Sequence, residues 1–234
     1  MLKIENFTKK YDKKVAVDNL SLHIQKGEIY GFIGHNGAGK TTTLKSVVGI
    51  INFDEGEILI NGKSIKTNPL ECKKDIAYIP DNPDLYEYMT GIQYLNFISD
   101  IFNVDGDARK ERIEKIAEAF EIKDALGQAI STYSHGMKQK LAIISAWVHD
   151  PKLIIMDEPF VGLDPKASFT LKTMMREVCD KGGAIFFSTH VLEVAEKLCD
   201  KIAIIKDGKL IKSGTMEEVK GDDSLEEVFL ELEQ

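Results

Sequence analysis

Residues 34–41 have the sequence Gly34-His35-Asn36-Gly37-Ala38-Gly39-Lys40-Thr41. This G-x-x-x-x-G-K-[ST] pattern stands between an apolar strand pattern at 28–33 and a helical pattern from about Lys40 to Gly49, as a phosphate-binding loop requires. The glycines allow successive N–H groups to turn toward phosphate oxygens, and the first turn of the helix adds its positive dipole end. We therefore predict that the loop holds nucleotide phosphates, with Lys40 near the β and γ phosphates and Thr41 on Mg²⁺. A chance glycine-rich turn is the alternative, and the agreement of strand, spacing and helix disfavours it.

Two adjacent acids, Asp157 and Glu158, end a second apolar strand pattern that begins at Leu153. Adjacent side chains of a strand point in different directions, so the two acids are free to take different roles. We predict that Asp157 helps to hold hydrated Mg²⁺ and that Glu158 polarises the attacking water as a general base. Alone, such a pair would most often be a solvated strand end. The phosphate loop in the same chain makes the functional interpretation the better one.

His190 follows a third apolar run, Ala184 to Phe187, and the polar pair Ser188-Thr189. Open α/β sheets bind ligands beyond the carboxyl ends of their strands, which is where this pattern places His190. We expect His190 to contact the γ-phosphate and the attacking water. A lone histidine is more often structural or merely exposed, and the other motifs decide in favour of the functional role here.

Strand patterns occur in the first and last parts of the chain, and helical stripes fill most of the middle. The strand patterns lie at 20–24, 28–33, 57–60, 76–79, 153–156, 184–189 and 202–205. The turn pairs Asn61-Gly62 and Asp207-Gly208 predict tight turns. Thr90 is placed to cap a helix, and the acidic end from Leu225 has helical spacing. The runs at 153–156 and 184–187 are almost wholly apolar, as expected for strands buried on both faces of a parallel sheet.

Composition and charge limit the classes of protein to which this chain can belong. The chain has 234 residues, and 30 basic against 38 acidic residues give it a formal charge of −8. Eight acids and one lysine between Glu217 and Gln234 place −7 of this charge in the C-terminal stretch. The acidity argues weakly against a dedicated nucleic-acid binder, which normally has a basic stripe.

Other features of the sequence bear on where the protein works. The longest apolar stretch, Leu141 to Val148, is much shorter than the roughly 20 residues of a membrane-spanning helix. The first residues lack the apolar core of a signal peptide, so we expect no secretion. The three cysteines lack zinc or redox spacing and are expected to be ordinary thiols in a reducing cytosol. Any contact with a membrane is therefore expected to depend on another chain.

The segment between the phosphate loop and the two acids has a pattern of its own. It is Tyr133-Ser134-His135-Gly136-Met137-Lys138-Gln139-Lys140. In this order of motifs it resembles the Leu-Ser-Gly-Gly-Gln signature of the nucleotide-binding subunits of ABC (ATP-binding cassette) transporters. Ser134 and Gly136 match that signature, while Tyr133, His135 and Met137 depart from it. Ser134 is placed to cap the following helix, whose first N–H groups would form an anion site.

The resemblance assigns further roles to individual residues. It implies that Ser134 and Gly136 face the γ-phosphate of ATP held by a second subunit, and that Tyr11 stacks on adenine. It also implies that Asp164 communicates between the two sites of a dimer, and that Asp81 replaces the family's glutamine near the metal. With the phosphate loop, the predicted nucleotide-contacting residues are Tyr11, Gly34, Asn36, Gly37, Ala38, Gly39, Lys40, Thr41, Thr42, Ser134, Gly136 and Asp164. The predicted metal ligands are Thr41, Asp81 and Asp157, and the predicted catalytic residues are Glu158 and His190.

The resemblance also implies a fold. It is an α/β P-loop NTPase (RecA-like) core with an N-terminal antiparallel β subdomain and an inserted α-helical subdomain. We expect residues 1–81 and 151–220 to form the ATP-binding core with the β subdomain. We expect residues 82–150 to form the helical subdomain that carries the signature, and 221–234 to form an acidic C-terminal helix.

The function implied by the resemblance is that of an ATPase motor for transport. We expect a head-to-tail homodimer, or a heterodimer with another cassette, that hydrolyses Mg-ATP and drives transmembrane permease subunits from the cytoplasmic face of the cell membrane. The tail at 224–230 and the variant signature resemble ATPase subunits of bacterial ABC-2-type exporters, which favours export. The alternatives are a soluble ABC ATPase acting on nucleic acid or the ribosome, and a non-catalytic ATP-binding regulator. No nucleic-acid partner is expected, and Glu158 with His190 disfavours the regulator.

Overall fold

The computed structural model describes residues 1–233, along which strands and helices alternate. The strands are β1 (Leu2–Tyr11), β2 (Lys14–Ile24), β3 (Ile29–Ile33), β4 (Glu55–Ile60), β5 (Lys63–Ser64), β6 (Ile76–Ile79), β7 (Leu153–Asp157), β8 (Ala184–Thr189), β9 (Lys201–Lys206) and β10 (Lys209–Thr215). The helices are α1 (Lys40–Val47), α2 (Pro69–Lys74), α3 (Gly91–Ile101), α4 (Gly106–Ala119), α5 (His135–Trp147), α6 (Pro165–Asp180), α7 (Leu192–Leu198), α8 (Met216–Lys220) and α9 (Leu225–Glu233). Short 3₁₀ turns lie at Lys123–Ala125 and Ile130–Thr132.

The strands belong to two sheets. One sheet is antiparallel and has the order β2-β1-β4-β5. The other has the order β10-β9-β3-β8-β7-β6, and in it β3 is parallel to β8 and β9, while β7 is parallel to β8. β10 pairs with β9 in the antiparallel sense. The predicted α/β fold, with an antiparallel N-terminal sheet and a parallel core, is confirmed.

The apolar runs explain why the central strands are buried. β3, β7 and β8 are buried along their whole length, as the sequence predicts for strands covered on both faces. The rings of Phe32 and Phe186 lie 5.5 Å apart between centroids, and burial of each such side chain contributes roughly 1.5–3 kcal/mol. Because the carboxyl ends of parallel strands meet at one edge of a sheet, the residues that follow β3, β7 and β8 come together there.

By their internal contacts, the described residues divide into two units. The first comprises Met1–Tyr78, Lys152–Glu158 and the residues from Met175 onward. The second comprises Ile79–Pro151 and Pro159–Met174. The chain therefore passes from the first unit to the second directly after Glu158. The subdomain boundaries expected from the sequence stay a prediction.

Helix caps in the second unit follow the sequence closely. Thr90 caps α3 in a capping box: its Oγ1 accepts the N–H of Gln93 at 3.3 Å, and Gln93 Oε1 accepts the N–H of Thr90 at 2.9 Å. α5 packs against α3 and α4 within this unit. The sequence predicts N-caps at Thr90 and Ser134, and both residues act as caps.

Some elements differ from the sequence patterns or are absent from them. The patterns do not indicate β1, α2, α6, α7 or α8, although α6 buries Leu171, Met175 and Cys179 at a helical spacing of four. The helix expected over 221–234 begins at Leu225, and Gln234 lies outside the described residues. Within residues 1–233, none of the helices has the length and apolar character needed to span a bilayer.

Both predicted turn pairs form tight turns between antiparallel strands. The φ angles are 50° at Asn61 and 79° at Gly62, and 49° at Asp207 and 79° at Gly208, as type I′ turns require. The two glycines differ in their surroundings. A Cβ on Gly208 would lie 2.7 Å from the backbone oxygen of Ala16, whereas a Cβ on Gly62 would meet no described atom within 4 Å.

Replacing these two glycines separates backbone strain from close contact. Gly62→Ala is expected to lower the free energy of unfolding by about 1–2 kcal/mol, because an alanine at this φ is strained. Gly208→Ala is expected to lower it by at least about 1 kcal/mol more, since the added Cβ also meets the Ala16 backbone. Urea denaturation followed by circular dichroism measures both losses. Equal losses would show that the contact beneath Gly208 is unimportant.

Candidate functional site

The phosphate-loop sequence forms a tight loop between β3 and α1, in the first unit. Gly34 and Gly39 are held where a side chain cannot fit: a Cβ would lie 2.4 Å from the Ile205 oxygen at Gly34 and 2.7 Å from the Ala16 oxygen at Gly39. Gly39 has a φ of 109° and is the N-cap of α1. The loop therefore packs closely against β2 and β9, which fixes the path of its backbone.

Of the remaining loop residues, some are buried where the loop meets the sheet and others are exposed at its tip. Ala38 is fully buried, and its oxygen accepts the N–H of Gly208 at 2.9 Å. Asn36 and Gly37 are exposed at the tip, where Gly37 has a φ of 86°. Thr42 lies partly buried in the first turn of α1. The turn between β9 and β10 is thus hydrogen-bonded to the buried part of the loop, while the tip of the loop is open to solvent.

Lys40 places a buried positive charge inside this loop. Its side chain is only 6% exposed, and its Nζ donates a hydrogen bond to the Gly34 oxygen at 2.6 Å. The same Nζ lies 3.3 Å from the His35 oxygen and 3.7 Å from Glu158 Oε1. Burial lowers the pKa of Lys40, while Glu158 and Asp157 act in the opposite sense. The ammonium group is therefore held between the loop carbonyl oxygens and the Glu158 carboxylate. In this position it could bind a phosphate group that enters the loop.

Asp157 joins three elements of the first unit. Its side chain is about 1% exposed; Oδ2 accepts a hydrogen bond from Thr41 Oγ1 at 2.6 Å, and Oδ1 accepts one from Ser188 Oγ at 2.5 Å. Thr41 lies in α1, Asp157 ends β7, and Ser188 lies directly opposite Asp157 on β8. The two predicted metal ligands Thr41 and Asp157 are thus in contact.

The donor set formed by Thr41 and Asp157 fits Mg²⁺. Hydroxyl and carboxylate oxygens are the hard ligands that this ion prefers, and Mg²⁺ commonly takes one or two carboxylates and completes its shell with water and phosphate oxygens. Among the described residues there is no group of three or more His, Cys, Asp and Glu side chains placed to hold a metal. Thr41 and Asp157 therefore supply two oxygen ligands of the kind that Mg²⁺ takes.

Glu158 and His190 form a second contact at the same edge of the sheet. Glu158 Oε1 lies 3.0 Å from His190 Nδ1, and Oε2 accepts the His190 N–H at 3.3 Å. The Glu158 side chain is 12% exposed, whereas His190 is exposed. The two predicted catalytic residues are therefore in contact, and Glu158 Oε1 also lies 3.7 Å from Lys40 Nζ.

The reason Asp157 and Glu158 diverge differs from the one predicted. β7 ends at Asp157, and Glu158 has a φ of 47°, so it has left the strand in a left-handed conformation. Pleating therefore does not separate the two side chains. The Glu158 N–H donates to Ser188, lying 3.2 Å from its backbone oxygen and 3.1 Å from its Oγ, which anchors the unusual backbone. A non-glycine residue in this conformation costs energy and is often found at functional sites.

Tyr11 lies at the end of β1, in the first unit. Tyr11 is 47% exposed, and Lys9 Nζ lies 4.9 Å from the ring centroid. A cation over an aromatic face is a favourable contact, and nearly half of the residue stays accessible to a further partner. The position is compatible with the stacking role implied by the resemblance.

Ser134 and Gly136 begin α5, in the second unit. Ser134 is exposed and caps the helix, with its Oγ accepting the Met137 N–H at 3.3 Å. The prediction that Ser134 is an N-cap is confirmed. Gly136 lies so close to the following loop that a Cβ would be 2.8 Å from the Gly162 oxygen. The helix N-terminus thus presents a hydroxyl and the positive end of a helix dipole.

Asp164 precedes α6, also in the second unit. Its Oδ1 accepts the Ala167 N–H at 2.8 Å, and its Oδ2 accepts a hydrogen bond from Lys140 Nζ at 2.8 Å. The Lys140 hydrogen bond, followed by that of Ala167, holds the pKa of Asp164 below its ordinary value. Both carboxylate oxygens of Asp164 are therefore engaged within its own unit.

Asp81 is an exposed residue in the bend that follows β6. It belongs to the second unit, whereas Thr41 and Asp157 belong to the first. Its predicted part in the metal site stays a prediction.

Sequence reasoning missed two side-chain roles. It did not predict the hydrogen bond from Ser188 to Asp157 or the one from Lys140 to Asp164. The Ser188 contact had a usable signal, because Ser188 and Asp157 both end apolar runs that are expected to lie in one parallel sheet. The Lys140 contact joins positions 24 residues apart in different elements, and no pattern in the sequence indicates it.

Comparisons with known proteins agree on one family. A family model described as ABC transporter matches residues 17–161. The chain is 35% identical over 235 residues to the ABC transporter ATP-binding protein YhcH of Bacillus subtilis (strain 168), covering 100% of this chain and 76% of that protein. It is 32% identical over 237 residues to the ABC-type transporter ATP-binding protein EcsA of the same organism, covering 99% and 96%. A solved structure described as the ATP binding subunit of an ABC transporter superposes with a TM-score of 0.96 at 32% identity, covering both chains completely.

Removing the Ser188 hydroxyl tests the support of Asp157. Ser188→Ala is expected to lower the free energy of unfolding by about 1–3 kcal/mol, because it leaves one oxygen of a buried carboxylate without its donor. Ser99→Ala is the control, since that hydroxyl is also buried and donates to the Leu95 oxygen of its own helix. Urea denaturation at neutral pH measures both. A loss at Ser188 no larger than that at Ser99 would contradict the role of this contact.

Proposed function

We propose a mechanism for this chain, which belongs to the ABC transporter family as an ATP-hydrolysing motor subunit. The observation that carries the proposal is the convergence of Lys40, Thr41, Asp157, Glu158 and His190 at one edge of the parallel sheet. A buried cation, a pair of hard oxygen ligands and an acid–histidine pair are the groups that phosphoryl transfer to water requires.

The loop from Gly34 to Thr42 and the side chain of Tyr11 bind the nucleotide. Lys40 now donates to the Gly34 carbonyl oxygen, and in the complex its ammonium group turns to the β- and γ-phosphate oxygens. Such charge-assisted hydrogen bonds are stronger in a buried site than in water. Tyr11, which is 47% exposed, stacks on the adenine ring. The loop amides and the N-terminus of α1 complete the cradle.

Thr41 and Asp157 would hold Mg²⁺, which when bound neutralises charge on the β- and γ-phosphates. Ser188 keeps Asp157 in place through its hydroxyl. Asp81 takes the place of the family's glutamine, and we propose that it contributes an oxygen to water in this metal site.

Hydrolysis depends on Glu158 and His190. The Glu158 carboxylate orients a water molecule and accepts its proton as the water oxygen bonds to the γ-phosphorus atom. The bond from that phosphorus atom to the β–γ bridging oxygen breaks, which releases ADP and phosphate. His190 is held by Glu158 at 3.0 Å, and we propose that it contacts the γ-phosphate as charge develops there.

A complete site takes residues from two copies of the chain. Ser134, Gly136 and Asp164 belong to the second unit, and Ser134 is exposed at a helix N-terminus suited to an anion. We propose a head-to-tail dimer in which Ser134 and Gly136 of one copy meet the γ-phosphate bound by the other. Asp164 would lie at this interface. A homodimer is the simplest such assembly, and a heterodimer with another cassette would follow the same geometry.

The proposed partners are transmembrane permease subunits, which would hold this chain at the cytoplasmic face of the cell membrane. Family membership supports this proposal, because an ATPase subunit of a transporter needs a membrane path to act on. The tail from Ser224 to Leu230 and the variant signature favour export. The close Glu158–His190 contact favours a catalytic subunit over a non-catalytic regulator.

The role of Glu158 as general base predicts the behaviour of Glu158→Gln. Steady-state ATP hydrolysis is expected to fall by at least about 100-fold, because the amide cannot accept the proton. ATP binding is expected to persist, and the variant is expected to accumulate as an ATP-bound dimer in size-exclusion chromatography. Glu193→Gln, which alters an exposed pair with Lys197, is the control and should hydrolyse ATP normally. Near-normal turnover by Glu158→Gln would exclude the assigned role.

A further inference from the structure

One face of α5 contacts the loop that follows Glu158. The contacting residues of α5 are His135, Gly136, Gln139 and Lys140, whose spacing of four along the helix places them on one side. The loop comprises residues 159–164, which we call the linking loop because it joins Glu158 to α6. All of these contacts lie within the second unit.

At the centre of this contact, the backbones of helix and loop approach closely. A Cβ on Gly136 would lie 2.8 Å from the Gly162 oxygen, and a Cβ on Gly162 would lie 2.6 Å from His135 Cδ2. Gly162 also has a φ of 79°, which favours glycine. Because Gly136 has no room for a side chain against the Gly162 backbone, the start of α5 and the linking loop are in close backbone contact.

Polar contacts hold both ends of the linking loop. Gln139 is fully buried, and its Nε2 lies 3.5 Å from the Pro159 oxygen, at the long limit of a hydrogen bond. At the other end, Lys140 Nζ donates to Asp164 Oδ2 at 2.8 Å. The Lys140 side chain is 16% exposed and that of Asp164 is 50% exposed, so the pair lies at the surface with its ammonium group largely covered. The second carboxylate oxygen of Asp164 caps α6 through the Ala167 N–H.

We propose that Lys140 is a positioning residue for ATP hydrolysis. Its ammonium group fixes Asp164 and the linking loop to the helix that begins at Ser134, so that the anion site and the linking loop keep one geometry. Lys140 itself touches neither nucleotide nor attacking water. This inference rests on the proposed function, in which Ser134 and Asp164 meet the nucleotide and the dimer interface.

Lys140→Met tests the proposal, because methionine keeps much of the side-chain length and removes the charge. We expect kcat for ATP hydrolysis to fall about tenfold, since the linking loop loses one anchor and the anion site is misplaced. The affinity for a fluorescent ATP analogue should be unchanged, because the loop around Lys40 is intact. The melting temperature should change by less than about 4 °C. Lys140→Arg restores the charge and should recover most of the rate.

The control is Lys197→Met, which removes a lysine from an exposed pair with Glu193 on α7. It should hydrolyse ATP at the wild-type rate. Asp164→Asn removes the same ion pair from the other side and gives a second test should Lys140→Met fail to fold. It is also expected to slow turnover, and adding Lys140→Met to it should cause no further loss.

Three results would overturn the proposal. The first is a kcat of Lys140→Met within about twofold of wild type while wild type is active, which leaves the proposed function standing. The second is an arginine variant as slow as the methionine variant. The third is a loss of ATP binding and thermal stability in parallel with activity, which would indicate a structural role alone. If the wild-type chain does not hydrolyse Mg-ATP, the proposed function itself fails and this inference fails with it.

Discussion

The candidate site depends on one buried carboxylate, that of Asp157. A carboxylate that is almost wholly removed from water is costly unless its oxygens are hydrogen-bonded, and each oxygen of Asp157 accepts a hydrogen bond from a hydroxyl group. The hydrogen bond from Thr41 links α1 to the carboxylate, and the hydrogen bond from Ser188 links β8 to it. The parallel register of β7 and β8 sets Ser188 opposite Asp157, and the apolar runs of both strands keep this part of the sheet buried. The geometry of the site therefore depends on how these two core strands pair.

Charge in the site is arranged locally and does not follow the net charge of the chain. The chain carries −8, and most of that charge lies in the C-terminal stretch. The cation that we propose for phosphate binding is Lys40, which is buried among loop carbonyls and lies 3.7 Å from Glu158. Removal from water lowers the pKa of this lysine and at the same time strengthens its attraction for an anion. The same arrangement keeps Glu158 near both Lys40 and His190.

Local patterns in the sequence predicted most of the fold and much of the site. The phosphate loop, the caps at Thr90 and Ser134 and the two turn pairs each depend on residues within a few positions of one another, so residue type and spacing suffice. The Ser188–Asp157 and Lys140–Asp164 contacts depend instead on strand register and helix packing, which bring distant residues together. The left-handed backbone of Glu158 has no sequence signal, because glutamate rarely adopts it and tertiary contacts impose it.

The central proposal is that each ATP site is shared between two copies of the chain. Mixing chains that carry Lys40→Met with chains that carry Ser134→Arg tests it most directly, because in the proposed dimer either variant alone would have both sites damaged. In a head-to-tail dimer of the two variants, one site combines the intact Lys40 of one chain with the intact Ser134 of the other. The account predicts that the mixture regains ATP hydrolysis, up to about a quarter of the wild-type rate if dimers form at random and the sites act independently. Activity no higher than that of either variant alone would contradict the shared site.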